Sequence, residues 1–291
     1  MFLRKVNTYI YINQLTHGVK KLTGTPIRLL LAALLLPVLT NAQKLPVIQT
    51  ASVKAPANIK IDGKPAEWDN KFQTYNKAIQ AFYTISNDDK KLYLTLQATR
   101  KEIINKIING GVSFSVVKGT KKSTDGGITV TFPVFDEKDR PNINVNAMAQ
   151  IVPGTAASNK LSDSLMKVNN AILIHKAKLI RLSGVKDLDT LISMYNTDGI
   201  KARALFGKNM AYTYELAIDL KLLDLSAADL TKFNYNITLN EVEIDYVPGV
   251  IITRNEDGTI VNMNVADPKL ANSYISALSS TDCWGTYTLV K

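Results

Sequence analysis

An all-β fold, an antiparallel β-sandwich with a few short connecting helices, is predicted by three features of the sequence. Strand-length segments alternate apolar with polar residues along much of the chain, which turns one face of each towards a core and the other towards water. Turn-forming clusters separate them, beginning with Asp62-Gly63 and Asn87-Asp88-Asp89. Cys283 is the single cysteine. No internal disulfide can form, so the core must supply the stability, which a chain of 291 residues is long enough to do as one sandwich.

The first element is a leader. Residues 1–42 contain no Asp or Glu, carry Arg4, Lys5, Lys20, Lys21 and Arg28, and then turn apolar from Leu29 to Leu39. A basic flank, a short apolar run and a small-residue exit at Thr40-Asn41-Ala42 read as a secretory signal cleaved near Ala42. The run is about half the length of a bilayer span, so no stable membrane anchor is expected. Gln43, not cysteine, would follow the cut, which speaks against a lipid anchor, and a periplasmic or secreted protein is the expectation. Losing the leader removes five basic groups from a formal charge of +10. The remaining lysine clusters, at 90–91 and 118–122, fall between strand-like runs as solvated hairpin tips, so nucleic acid is not expected as a partner.

Residues 43–56 read as an extended lead-in and 57–291 as a single sandwich domain. Ile59 and Ile61 alternate with polar neighbours as in a strand, Asp62-Gly63 supplies a turn, and Pro65 opens a helical turn that carries Trp68 back into the core. Leu92, Leu94 and Leu96 share one face of the next strand. Ile103, Ile104, Ile107 and Ile108 have helical spacing within 98–109, closed by Gly110-Gly111. The stretches 111–116 and 128–132 alternate as two hairpin-linked strands. A short helix is expected at 162–170 and strand character at 171–182. Strands follow at 210–220 and 233–239, separated by a helix-forming stretch at 222–230 with a cap at Ser226.

The opening Ile59-Lys60-Ile61-Asp62-Gly63 with Glu67-Trp68, followed by Asn87-Asp88-Asp89 and Leu92-Tyr93-Leu94, resembles the family 9 carbohydrate-binding modules and their wider β-sandwich superfamily. Tyr214-Glu215-Leu216-Ala217-Ile218 is similar to a late strand of that group, with Asp219 where the family has proline, and Trp284-Gly285-Thr286-Tyr287 is similar to its closing strand. The resemblance touches both ends of 54–291 and covers the middle thinly. It implies an exported, non-catalytic binding or cell-envelope accessory domain with a glycan as ligand and calcium as a recurrent structural ion. The family's sugar platform is a pair of tryptophans. Trp68 and Trp284 both fall in the motifs that define the fold, so no sugar-binding residue is carried over. The superfamily also includes haem binders using methionine with histidine or lysine, but Met148, Met166, Met194, Met210 and Met263 form no diagnostic spacing with His175.

His175 is the only histidine beyond the leader. A zinc site of two or three histidines is therefore excluded, and His175 itself reads as a half-exposed strand residue. No nucleophile elbow, phosphate loop or paired-cysteine motif occurs, so no catalytic residue is assigned. Glu241, Glu243 and Asp245 would share one side of an extended segment. Glu241 and Glu243 would then stand roughly 7 Å apart, within the range of inverting glycosidases. Glu241, Glu243 and Tyr246 are the candidate ligand-binding residues, and Asp88, Asp89 and Asp245 the candidates for calcium. Solvated acids at a strand end and an Asx turn explain the same residues. Two rival readings stay open: a carboxylate-dependent glycan hydrolase, and a structural or partner-binding envelope protein with no small-molecule site.

Overall fold

The computed structural model describes residues 44–119, 122–135, 140–143, 145–152, 154–242, 250–266, 268 and 278–291. Alternation builds most of the strands where the sequence places them. The first sheet holds β1 (Thr74–Asn76), β2 (Ala81–Asn87), β3 (Lys91–Ala98), β8 (Ile200–Phe206) and β9 (Tyr212–Asp219), in the order β1-β2-β3-β9-β8. The second holds β4 (Val112–Val117), β5 (Ile128–Val134), β6 (Leu179–Ser183), β7 (Leu191–Ser193), β10 (Lys232–Leu239) and β13 (Thr281–Thr288), in the order β13-β10-β4-β5-β6-β7. Every neighbouring pair is antiparallel.

The inward positions of the two sheets form one core. Ile85, Leu94, Leu96, Tyr214 and Leu216 come from the first sheet, and Phe114, Val130, Phe132, Tyr235 and Ile237 from the second. Aromatic rings cross between the layers, with Tyr83 edge-on to Tyr235 at 6.2 Å and Phe132 tilted against Tyr214 at 6.2 Å. The Tyr83 and Tyr235 hydroxyls satisfy each other at 2.9 Å inside this core. An all-β antiparallel sandwich is thus the architecture.

Helix α1 (Lys101–Gly110) buries Ile103, Ile104, Ile107 and Ile108, as their spacing requires. It ends where Gly111 takes φ 79°, and a Cβ there would lie 2.6 Å from the Pro133 carbonyl. Helix α2 runs Ala156–Lys176, with the Thr155 side chain accepting the Ser158 N–H at its start. This corrects the short helix expected at 162–170 and the strand expected from 171. His175 lies exposed in the last helical turn, not on a strand. Strand β6 begins only at Leu179.

Three further expectations fail. Ile59 and Ile61 form no strand; they pack with Ala55, Tyr93 and Ala217 on the outer face of the first sheet. Both β3 and β9 already have strands on each side, so no edge is free there to pair with them. Trp68 ends a 3-10 turn (Ala66–Trp68) and stays half-buried, outside the core. The stretch 222–230 holds the end of another 3-10 turn (Leu220–Leu223) and then turns, without an α-helix capped at Ser226. The polar stretch after 248 contributes a separate ribbon of β11 (Val250–Arg254) and β12 (Ile260–Val265). No helix among the described residues is long and apolar enough to cross a membrane.

The segment after the lead-in crosses the outer face of the first sheet and is fastened there by Glu215. This residue sits on β9 and is wholly buried. Its Oε2 accepts the backbone N–H groups of Asp62 and Gly63 at 2.9 and 2.8 Å. Two of the segments that carry the family resemblance therefore meet at one carboxyl group.

Candidate ligand groove

The outward positions of the second sheet carry a different chemistry. Side chains alternate along a strand, so the core residues Phe233, Tyr235, Ile237 and Leu239 leave Asn234, Asn236 and Thr238 facing out. Register extends this pattern across five strands. One rank runs Trp284, Asn236, Ser115, Thr129, Ser183, and the next runs Asp282, Thr238, Ser113, Thr131, Arg181.

Within the ranks the polar groups hold one another in place. Ser115 Oγ and Thr129 Oγ1 are 2.7 Å apart, and Ser113 Oγ and Thr131 Oγ1 are 2.8 Å apart. Asn236 Nδ2 donates to Asp282 Oδ2 at 2.7 Å, and Thr238 Oγ1 donates to Asn236 Oδ1 at 2.5 Å. Asn236 and Ser115 are each 2% exposed and Thr131 8%, so the polar groups open to solvent are those of the half-buried Ser113, Thr129 and Thr238 and the exposed Ser183, Asp282 and Arg181.

The second rank opens into a groove of about 500 Å³ where α1 meets the ends of β4, β5 and β10. Ser113, Thr131, Thr238, Asn240 and Glu241 line it, together with Arg140 and with Arg181 of β6. Asn240 is fixed there because its Nδ2 donates to the Gly110 carbonyl at 2.9 Å and its Oδ1 accepts from Ser113 Oγ at 3.0 Å. Glu241 Oε2 accepts the Ser280 N–H at 3.3 Å. Lys106 of α1 reaches the same corner, donating to the Ser279 carbonyl at 2.6 Å and to Thr281 Oγ1 at 3.1 Å. Burial holds its ammonium pKa below the usual lysine range, and the Glu241 carboxylate opposes that shift. The Arg181 side chain is exposed and makes no hydrogen bond or ion pair among the described residues.

Of the residues singled out from the sequence, Glu241 lines this groove, while Glu243, Asp245 and Tyr246 lie outside the described residues. Asp88 and Asp89 are placed elsewhere, in the turn between β2 and β3. Asp88 Oδ1 accepts the N–H groups of Lys90 and Lys91, both at 2.7 Å, and its Oδ2 accepts the Tyr93 hydroxyl at 2.6 Å. Desolvation raises the Asp88 pKa, but these hydrogen bonds and the Lys91 charge prevail and hold it below the ordinary carboxylate value. Asp89 is paired with Lys54 at 3.3 Å on the surface. Among the described residues no group of three or more His, Cys, Asp or Glu side chains is arranged to hold a metal ion.

Sequence reasoning missed the ranks themselves, although Asn234-Tyr235-Asn236-Ile237-Thr238-Leu239-Asn240 displays them as a run of polar residues at every second position. Trp284 falls in a strand motif that defines the fold. The structure turns it outwards, half-buried, beside Asn236. Cys283, its neighbour, faces inwards, and burial pushes its thiol pKa up to about 12, consistent with an inert core position.

No family model matches the chain. No curated protein matches it either. Among solved structures, it is similar to a family 9 carbohydrate-binding module from Caldicellulosiruptor kristjanssonii in complex with glucose. The identity is 10%, the match covers 82% of this chain and 94% of that one, and the TM-score is 0.30.

Proposed function

We propose that this chain is an exported, non-catalytic binding domain whose groove on the outer face of the second sheet receives a glycan. One observation carries the reading: two cross-strand ranks of hydroxyl and amide side chains, with Trp284 in one and the unpaired Arg181 ending the other. Sugars offer hydroxyls that donate and accept at short intervals, together with apolar ring faces. Sites for them combine fixed polar groups with an aromatic surface. The groove also contains Glu241, one of the candidate ligand-binding residues, so a ligand lying there would touch it.

A glycan array followed by calorimetry on the hits tests this reading. Arg181→Ala and Trp284→Ala are each expected to weaken binding by roughly tenfold or more, the loss of one good polar or aromatic contact. A hit whose affinity neither substitution changes would place the ligand elsewhere. Release of reducing sugar from the bound glycan, abolished by Glu241→Gln, would replace the binding reading with hydrolysis. Repeating the titration with calcium and with a chelator tests whether a cation takes part.

A further inference from the structure

The groove on the second sheet is charged unequally along its length. On β6 stands Arg181, whose guanidinium is exposed and without a hydrogen-bond or ion-pair partner among the described residues. Arg140 lines the same groove, and among the described lining residues Glu241 is the one carboxylate. Glu241 stands just beyond the end of β10, which β4 and β5 separate from β6. Those three strand spacings amount to roughly 14 Å, farther than a single pyranose ring reaches. Asp282 is exposed on β13 opposite Thr238, so a second carboxylate flanks the same end. Between the opposite charges lie the half-buried hydroxyls of Ser113 and Thr238.

This polarity restricts the ligand. A guanidinium presents its donors as a planar fork that meets two oxygens of a carboxylate or sulfate at once, and such charge-assisted bonds are about twice as strong as those to a neutral hydroxyl. At the other end Glu241 gives Oε2 to the Ser280 N–H, which leaves Oε1 to accept from a ligand hydroxyl and to repel a ligand anion. Lys106 stands in that corner but is 2% exposed and donates to the Ser279 carbonyl and Thr281 Oγ1, so the charge a ligand touches there is the carboxylate. We infer that the groove takes an acidic glycan of mixed composition: one anionic sugar, a uronate or a sulfate ester, sits on Arg181, and a neutral sugar donates its hydroxyls to Glu241. The inference rests on the glycan reading above and narrows it to a charge class and a direction.

Calorimetry of the full chain against gluco- and galacto-configured trisaccharides tests this, each in four forms: neutral, with a terminal uronate, with a terminal sulfate ester, and with a uronate in every ring. A singly charged form is expected to bind roughly tenfold tighter than its neutral counterpart, and whichever of the two binds better identifies the anion. Arg181→Gln should bring the singly charged forms down to the neutral level. Glu241→Gln keeps an acceptor for hydroxyls but removes the repulsion, so it should strengthen binding of the all-uronate form severalfold and change the singly charged forms little. Both side chains are exposed, and an unchanged melting temperature checks that each variant is folded. Neutral forms that bind as well as charged ones, a preference that survives Arg181→Gln, or an all-uronate form that the parent protein binds best would overturn the inference and leave the glycan reading standing. Binding of none of these sugars, together with a blank array, would remove the glycan reading and this inference with it.

Discussion

At the scale of single residues, Glu215 shows what a buried carboxyl does when its surroundings are acidic. Desolvation raises its pKa first and most. The N–H groups of Gly63 and Asp62 pull it down, the nearby carboxylates of Asp62 and Glu67 push it up again, and the outcome is a rise from 4.5 to about 8. Glu215 Oε1, Asp62 Oδ1 and Glu67 Oε2 are all buried without a hydrogen-bond partner. A proton on Glu215 lowers the charge of the cluster and leaves Oε2 to accept its two backbone donors. The folded protein then holds this proton where the unfolded chain releases it, so stability falls as pH rises from 4.5 towards 8 and levels off above. Urea denaturation should show a loss on the order of a few kcal/mol across that window. Glu215→Gln, which keeps an acceptor for the two N–H groups, should flatten the profile; a slope that survives the substitution would move its origin to another group. The sequence could show that residue 215 belongs to a strand. It could not show that the segment around Asp62-Gly63 folds over that strand's outer face, because the contact joins positions far apart in the chain.

Elements were legible in proportion to how cleanly their buried faces repeat. The second-sheet strands β4, β5 and β10 place apolar residues at every second position, and α1 places four isoleucines at helical spacing, so each was readable. Helix α2 escaped for a physical reason. Its buried positions are Ser158, Ser162, Asn169 and Leu173, spaced as a helix face but mostly polar. The conspicuous Ile172-Leu173-Ile174 is a short apolar run that reads equally well as a strand. Beside the packing of Leu165, Met166 and Leu173, the helix is moored by hydrogen bonds: Asn170 Nδ2 donates to the Phe206 carbonyl at 2.9 Å, and its Oδ1 accepts the Phe206 N–H at 2.8 Å. Asn170→Ala strands both backbone groups at the end of β8. An expected loss of about 1–3 kcal/mol would appear as a lower denaturation midpoint.

For the whole molecule, the lead-in is a strap. Gln49 is buried and exchanges two 2.7 Å hydrogen bonds with the backbone of Ile85 in the first sheet. Val53 exchanges two with the Tyr287 hydroxyl of the second, at 3.0 and 2.9 Å. Residues 49–53 thus link both layers, which composition alone could not reveal in a segment that reads as extended chain. Gln49→Ala should free the Ile85 amide and carbonyl, and hydrogen exchange at Ile85 is expected to speed up well before global unfolding does. Unchanged protection there would mean that the strap holds without this side chain.

Strands β10 and β13 run side by side from Lys232 opposite Thr288 to Leu239 opposite Thr281, about 25 Å of sheet. The groove opens beyond the Leu239 end, whereas Val290 is clasped by Asn87 beyond the other, through hydrogen bonds of 2.8 and 3.0 Å. A tag grafted after Lys291 would therefore stand the protein upright on a sensor chip, with its polar mouth aimed at the flowing solution.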